Sequence, residues 1–152
     1  MAEPKAYVEP PKSQTPWIQG FKDYVEEHFG NFSFQEVRYI HPETSIYDSI
    51  VEMEKKRGRL QEGEELGGCI ARLPTGKVVI YLVNKHKRGY ERPFYGLLFE
   101  MIRLAKPEWG GDRVEQETSK HFDSAKEHAR VFAYNAAREH KKKPSSKQSI
   151  EK

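Results

Sequence analysis

The chain has 152 residues, of which 32 % are charged and 36 % hydrophobic, and its formal net charge is +3. This length suits a single domain. The longest apolar run, Val78 to Val83, is far shorter than the about 20 residues that a membrane-spanning helix needs, so we expect no membrane segment. The lone cysteine, Cys69, excludes an internal disulfide and a cysteine-rich zinc site. We therefore expect a soluble, intracellular protein in a reducing compartment.

The positive charge is concentrated at the C-terminus. Residues 138–152 hold six basic and two acidic residues, whereas the other 137 residues hold 20 basic and 21 acidic ones. This distribution predicts a basic, flexible tail over 138–152. Such a tail is either a solvated end or an arm that binds nucleic acid or another polyanion. The basic residues that would form the arm are Arg138, Lys141, Lys142 and Lys143.

The first 15 residues predict a disordered leader, because Pro4, Pro10 and Pro11 interrupt any helix. One α/β domain is predicted to follow over residues 16–137. Its first helix is expected to have Thr15 as N-cap and to end at Gly30. The residues that form its apolar stripe are Trp17, Phe21, Tyr24, Val25 and Phe29.

The middle of the chain predicts a sheet covered by helices. Residues 32–40 are rich in aromatic and β-branched side chains and predict a strand, and a helix is expected from Ser45 to Gly58. Residues 67–73 and 78–83 predict a hairpin, because Pro74-Thr75-Gly76-Lys77 between them has turn chemistry. The second hairpin strand is apolar at every position. It is therefore expected to be central, in a small mixed sheet with helices on both faces.

Two helices are predicted in the last third of the chain. The first is opened by Pro93 and buries an apolar stripe of Phe94, Leu97, Leu98, Met101, Ile102 and Ala105. A loop over 106–112 leads to a long helix from about Val114 to Lys142. The residues on its apolar side are Val114, Thr118, Phe122, Ala125, Ala129, Phe132 and Ala136.

Several familiar functional motifs are absent from the sequence. There is no glycine-rich phosphate loop, and the six histidines show no metal-ligand spacing, with His121 and His128 seven residues apart. We therefore expect no metal site and no cofactor. Cys69, in the middle of a predicted strand, is expected to be a buried apolar residue rather than a nucleophile.

The segment 67–105 combines a Gly-Gly start, a hairpin and an apolar strand that ends Tyr81-Leu82-Val83-Asn84-Lys85. A basic and aromatic loop follows, and Arg92-Pro93-Phe94-Tyr95 opens a helix. This arrangement resembles macro domains, which bind ADP-ribose, and it looks most like the branch that contains terminal ADP-ribose protein glycohydrolase. Further along, Gly110-Gly111-Asp112-Arg113 resembles the Gly-x-Asp loop that precedes the final helix of that branch.

The resemblance implies a macro-like fold that binds ADP-ribose or a related nucleotide, with Lys85 as catalytic lysine and Asp112 as catalytic aspartate. A lysine with a lowered pKa can attack the anomeric carbon of a ribose ester, and a nearby carboxylate can act as general acid or base. The residues expected to bind the ligand are Lys87, Arg88, Tyr90, Arg92, Gly110 and Gly111.

A second hypothesis stays open beside this one. The chain can be a non-enzymatic adaptor that binds nucleic acid or a partner protein through the loop 84–92 and the basic tail. In that case the basic side chains of the loop are a solvated or phosphate-contacting surface, and Asp112 is a helix N-cap.

Overall fold

The computed structural model describes residues 7–41, 45–58, 68–83 and 94–150. Within these ranges four strands and four longer helices form one α/β arrangement. The strands are β1 (Tyr7–Val8), β2 (Glu36–Ile40), β3 (Gly68–Arg72) and β4 (Val78–Val83). The helices are α1 (Thr15–Phe29), α2 (Ser45–Lys56), α3 (Phe94–Ala105) and α4 (Gly111–Ile150). None of the described helices has the length and apolarity that crossing a membrane requires.

The sheet is mixed, as predicted, and its strand order is β1-β2-β4-β3. β2 and β4 run parallel, with Ile40 opposite Val83, while the two outer strands pair antiparallel. The predicted hairpin is confirmed: β3 and β4 are joined by a turn in which Gly76 adopts a φ of +89°, a conformation that favours glycine. The apolar strand β4 is one of the two central strands and is buried at every position.

Helices cover both faces of the sheet, which confirms the predicted fold class. On one face, α1, α3 and α4 pack against Val37, Tyr39, Ile80 and Leu82. On the other face, α2 packs through Ile50 against the alternate residues of the same strands. This division follows from the two-residue period of a strand, which sends successive side chains to opposite faces.

In the described part of the predicted leader 1–15, residues 7–15 contain a short strand, a 3-10 turn and the first residue of α1, and disorder of the leader as a whole stays a prediction. Tyr7 and Val8 pair with Tyr39 and Ile40 at the edge of β2, and a 3-10 turn, Lys12–Gln14, then leads into α1. Gln14 is buried and accepts a hydrogen bond from the Tyr39 hydroxyl. The prolines end the short strand, but they do not prevent it from pairing.

α1 matches its predicted extent, with a shift of one position at its start. Gln14 is the N-cap residue, so Thr15 and Pro16 lie inside the first turn, where proline loses no helical hydrogen bond. Gly30 ends the helix with a φ of +124°. The predicted stripe faces the core, Trp17 being only partly buried, and Ile18 joins it.

The predictions for β2 and α2 needed two corrections. β2 begins at Glu36, four residues after the predicted start at Phe32. In α2, Ile50 is buried as predicted, but Met53 is 43 % exposed, whereas Glu54 is only 4 % exposed. The face of α2 that packs on the sheet therefore includes position 54, and not position 53 as the apolar pattern had indicated.

α3 buries the predicted stripe, with Ala105 partly exposed at its end. α4 begins at Gly111 and continues to Ile150, past the predicted end at Lys142, so the backbone of residues 138–150 is helical. At about 1.5 Å per residue, a helix of 40 residues is about 60 Å long. The predicted domain boundary between Ala137 and Arg138 falls inside this helix, and the independence of the segment beyond it stays a prediction.

Candidate functional site

The predicted site residues in the loop before the last helix lie at the N-terminus of α4. Gly110 precedes the helix, and its carbonyl accepts a hydrogen bond from the Val114 amide. Asp112 lies inside the first turn, so it is not the N-cap residue. Its exposed carboxylate is close to the positive end of the helix dipole, where a negative charge is stabilising.

The described residues show at which end of the sheet this loop lies. At the N-terminal end of α1, Trp17 stacks on Phe94, the first residue of α3. At the C-terminal end of α1, the Phe29 ring packs edge-on against Trp109. Because the 15 residues of α1 separate these contacts by about 20 Å, Asp112, which follows Trp109 by three residues, lies far from the start of α3.

The C-terminal end of β4 lies at the opposite end of the fold from Asp112. Leu82 pairs with Tyr39, whose hydroxyl bonds to Gln14 just before α1, so β4 ends where α1 begins. The other predicted site residues, Lys85, Lys87, Arg88, Tyr90 and Arg92, lie outside the described residues. The catalytic pairing of Lys85 with Asp112 therefore stays a prediction, and the placement of Asp112 does not favour it.

The interface between α1 and α4 brings together side chains that the sequence analysis did not connect. Tyr24 and His28 lie one turn apart on α1, and His121 and His128 lie two turns apart on the facing side of α4. Tyr24 stacks on His28 with 4.1 Å between ring centroids. The rings of His121 and His128 lie 5.8 and 5.6 Å from that of Tyr24.

Tyr24 and His121 form a hydrogen-bonded pair inside this cluster. The tyrosine hydroxyl oxygen lies 2.7 Å from Nδ1 of the imidazole, and Nε2 lies 3.6 Å from a carboxylate oxygen of Glu117. Burial raises the pKa of Tyr24, although a hydrogen bond from Ser124 opposes the shift. Burial also lowers the pKa of His121, against the attraction of Glu117. Both shifts favour a neutral pair. The Glu117 carboxylate beside Nε2 favours the tautomer in which Nε2 carries the proton and the tyrosine donates to Nδ1.

A second group at the same interface contains two carboxylates and an imidazole. His128 Nε2 lies 2.8 Å from Asp23 Oδ2 and 3.9 Å from Glu27 Oε2. One ligand atom from each of the three residues lies within 4.8 Å of the others, which is a spacing that could hold a metal ion. The imidazole is one-third exposed and both carboxylates are at least half exposed. The group is therefore accessible from solvent.

The α2 face of the sheet carries a different polar cluster. Glu36 accepts hydrogen bonds from the Arg38 guanidinium, at 2.6 Å, and lies 2.7 Å from Lys77 Nζ. These partners lower the pKa of Glu36 to about 2, and the carboxylate together with the Tyr81 hydroxyl raises the pKa of Arg38. The cluster satisfies charges that lie on a mostly covered sheet face, so its role is structural.

Cys69 is buried on the same face of the sheet, as predicted. Burial is the main cause that raises the pKa of its thiol to about 12, so the thiol is protonated at neutral pH. A buried, protonated thiol is a poor nucleophile.

Sequence reasoning missed the histidine clusters because their members come from two helices about 100 residues apart. Asp23 and Glu27 on α1 have the i, i+4 spacing of metal ligands, but the same spacing is common on a solvated helix face. Comparison with protein-family models, with curated proteins and with solved structures found no match to the chain.

Proposed function

We propose that the domain binds nucleic acid through the C-terminal quarter of α4. The observation that carries this proposal is the separation of charge along one continuous helix. From Gly111 to Glu139 acidic residues slightly outnumber basic ones, whereas residues 140–150 contain four lysines and no acidic residue. A polyanion gains affinity from such a run, because each phosphate contact releases counterions.

Among the residues whose burial is described, the buried part of α4 ends before this segment. Gly20 of α1 lies against Ala129 and Phe132, and Ala136 is the last partly buried residue among those whose burial is described. Ala137, Arg138 and Glu139 are exposed. Since α1 begins at Thr15, only five residues before Gly20, α4 continues well beyond the helix that holds it against the body.

An aromatic side chain next to this segment adds a second kind of contact. Tyr134 is 60 % exposed, and the Arg138 guanidinium lies 5.8 Å from the centroid of its ring. Exposed aromatic rings and guanidinium planes stack on unpaired bases, and each stacked base contributes about 1–3 kcal/mol. This pair favours a single-stranded nucleic acid over a duplex.

The test is a comparison of two double variants that remove the same charge from the full chain. Lys142→Ala/Lys143→Ala should weaken the binding of a labelled single-stranded oligonucleotide by on the order of tenfold. Lys56→Ala/Lys120→Ala removes two exposed lysines from α2 and the N-terminal half of α4, and it should leave affinity nearly unchanged. Equal losses in the two variants would contradict a localised site.

ADP-ribose binding is a second proposal, and it rests on the macro-like resemblance of residues 67–113. Calorimetry with free ADP-ribose tests it, with Tyr90→Ala expected to weaken binding through loss of stacking. Hydrolysis is a separate claim, for which Lys85→Ala should abolish release of ADP-ribose from a modified protein. An absence of heat with ADP-ribose would remove the proposal.

A further inference from the structure

We propose that Asp23, Glu27 and His128 form a zinc site that links α1 to α4. This inference is independent of the proposed nucleic-acid binding. The two carboxylates lie one turn apart on α1, and the imidazole faces them from α4. Metal sites between facing helices are built in this way, with carboxylates and imidazoles projecting from adjacent turns.

The distances suit a tetrahedral ion after small side-chain rotations. Zinc holds imidazole nitrogen and carboxylate oxygen at about 2.0–2.2 Å, which places tetrahedral donor atoms about 3.3 Å apart. The separations from His128 Nε2 to Asp23 and Glu27, 2.8 and 3.9 Å, lie on either side of that value. Because both carboxylates are exposed, they can adjust without moving the backbone.

The backbone that carries these ligands is held by a close approach of the two helices at Gly20. A Cβ atom added at Gly20, one turn before Asp23, would lie 2.7 Å from the Cα atom of Ala129, the residue after His128. The rings of His128 and Tyr24 also pack in an edge-to-face arrangement. The site is therefore positioned by packing that exists without a metal, which lowers the entropy cost of binding.

The local charge also favours a cation. Asp23 and Glu27 place two negative charges beside one imidazole, whereas the neighbouring carboxylate of Glu26 pairs with Lys22 at 3.1 Å. The simple alternative is a metal-free pair of contacts from His128 to both Asp23 and Glu27, and titration with Zn²⁺ distinguishes it from a metal site. A donor set of one imidazole and two carboxylates suits Zn²⁺ better than Mg²⁺ or Ca²⁺, which prefer oxygen ligands alone.

The experiment is calorimetric titration of the chelator-treated full chain with Zn²⁺ and, separately, with Mg²⁺. We expect one Zn²⁺ per chain and no comparable heat from Mg²⁺. Glu27→Gln should weaken Zn²⁺ binding at least tenfold, and His128→Gln should abolish it. Glu127→Gln is the matched control, since it removes an equal charge next to His128 from a carboxylate that pairs with Arg130. It should leave Zn²⁺ affinity unchanged.

A thermal melt separates loss of the site from loss of the fold. The Tm of the parent chain should rise with Zn²⁺, because a ligand that binds only the folded state stabilises it. The Tm of Glu27→Gln without metal should match that of the parent, since the side chain is exposed, and its rise with Zn²⁺ should be reduced. Absence of Zn²⁺ binding, or the same affinity in the parent and Glu27→Gln, would overturn the proposal.

Discussion

Tyr24 and His121, which are 97 residues apart in the chain, place a hydroxyl oxygen and an imidazole Nδ1 2.7 Å apart in the interface between α1 and α4. The pair is polar, yet it lies in the contact that holds α4 on the body. The stability of this helix contact therefore depends on the protonation states of Tyr24 and His121.

The first prediction concerns the pH dependence of folding. Burial lowers the pKa of His121 below its usual value near 6.5, so the unfolded chain binds this proton more readily than the folded chain. The free energy of unfolding should be highest above pH 6.5 and should fall as the pH drops toward the lower pKa of the folded state. His121→Gln, which keeps an acceptor for Tyr24, should reduce this dependence in urea unfolding curves.

The other titratable groups of this interface define the control. His28, His128, Asp23, Glu27 and Glu117 lie near the pair and remain in the His121→Gln variant, so only the difference between the two pH profiles is informative. Parallel profiles for the parent and His121→Gln would contradict a partly buried, neutral His121.

The second prediction concerns the crossing of α1 and α4 at Gly20. A Cβ atom there would lie 2.7 Å from the Cα atom of Ala129, which is backbone and cannot rotate away. Gly20→Ala should therefore lower the free energy of unfolding by roughly 1–3 kcal/mol despite the better helix propensity of alanine.

Gly111→Ala is the matched control for Gly20→Ala. Gly111 is also helical, and an added Cβ atom would meet nothing within 4 Å. This substitution should be neutral or stabilising by up to about 1 kcal/mol. Equal changes in the free energy of unfolding for the two variants would contradict the close approach of α1 and α4 at Gly20.

The third prediction concerns the central strand. Val79 is fully buried in β4 beneath α2, so Val79→Asp places a carboxylate where no water can solvate it. The cost is several kcal/mol, on the order of the whole stability of a domain, and the variant should be unfolded by circular dichroism. Val131→Asp, at a position that is 43 % exposed on α4, should fold normally. A folded Val79→Asp variant would place β4 outside the core.

The sequence predicted the parts of the fold that depend on local patterns. The apolar run 78–83 indicated a central strand, because a strand that is apolar at every position must be covered on both faces. The stripe from Phe94 to Ile102 indicated a buried helix face, because its apolar residues recur with the helical period. β1 was missed because a two-residue strand exists only by pairing with β2, which is distant in sequence. Glu54 was missed because no apolar pattern marks a buried carboxylate.

The candidate sites also divide into those that local sequence predicts and those that depend on tertiary packing. The distribution of lysines along the chain is visible in the sequence, so the basic end of α4 could be predicted. The groups around His121 and His128 depend on the register between two helices, which a single sequence does not reveal. The role of Asp112 stays a prediction: its sequence matched a motif, but the structure places it at the opposite end of the sheet from the end of β4.

The central claim, that the basic end of α4 binds nucleic acid, is tested most directly by the salt dependence of oligonucleotide binding. The full chain is compared with a chain that ends at Ala137, whose Tm should be nearly unchanged because the residues just beyond Ala136 are exposed. We expect the slope of log K against log salt to become shallower by roughly 0.7 for each phosphate contact that is lost. Equal slopes for the two chains, or a large fall in Tm on truncation, would contradict the account.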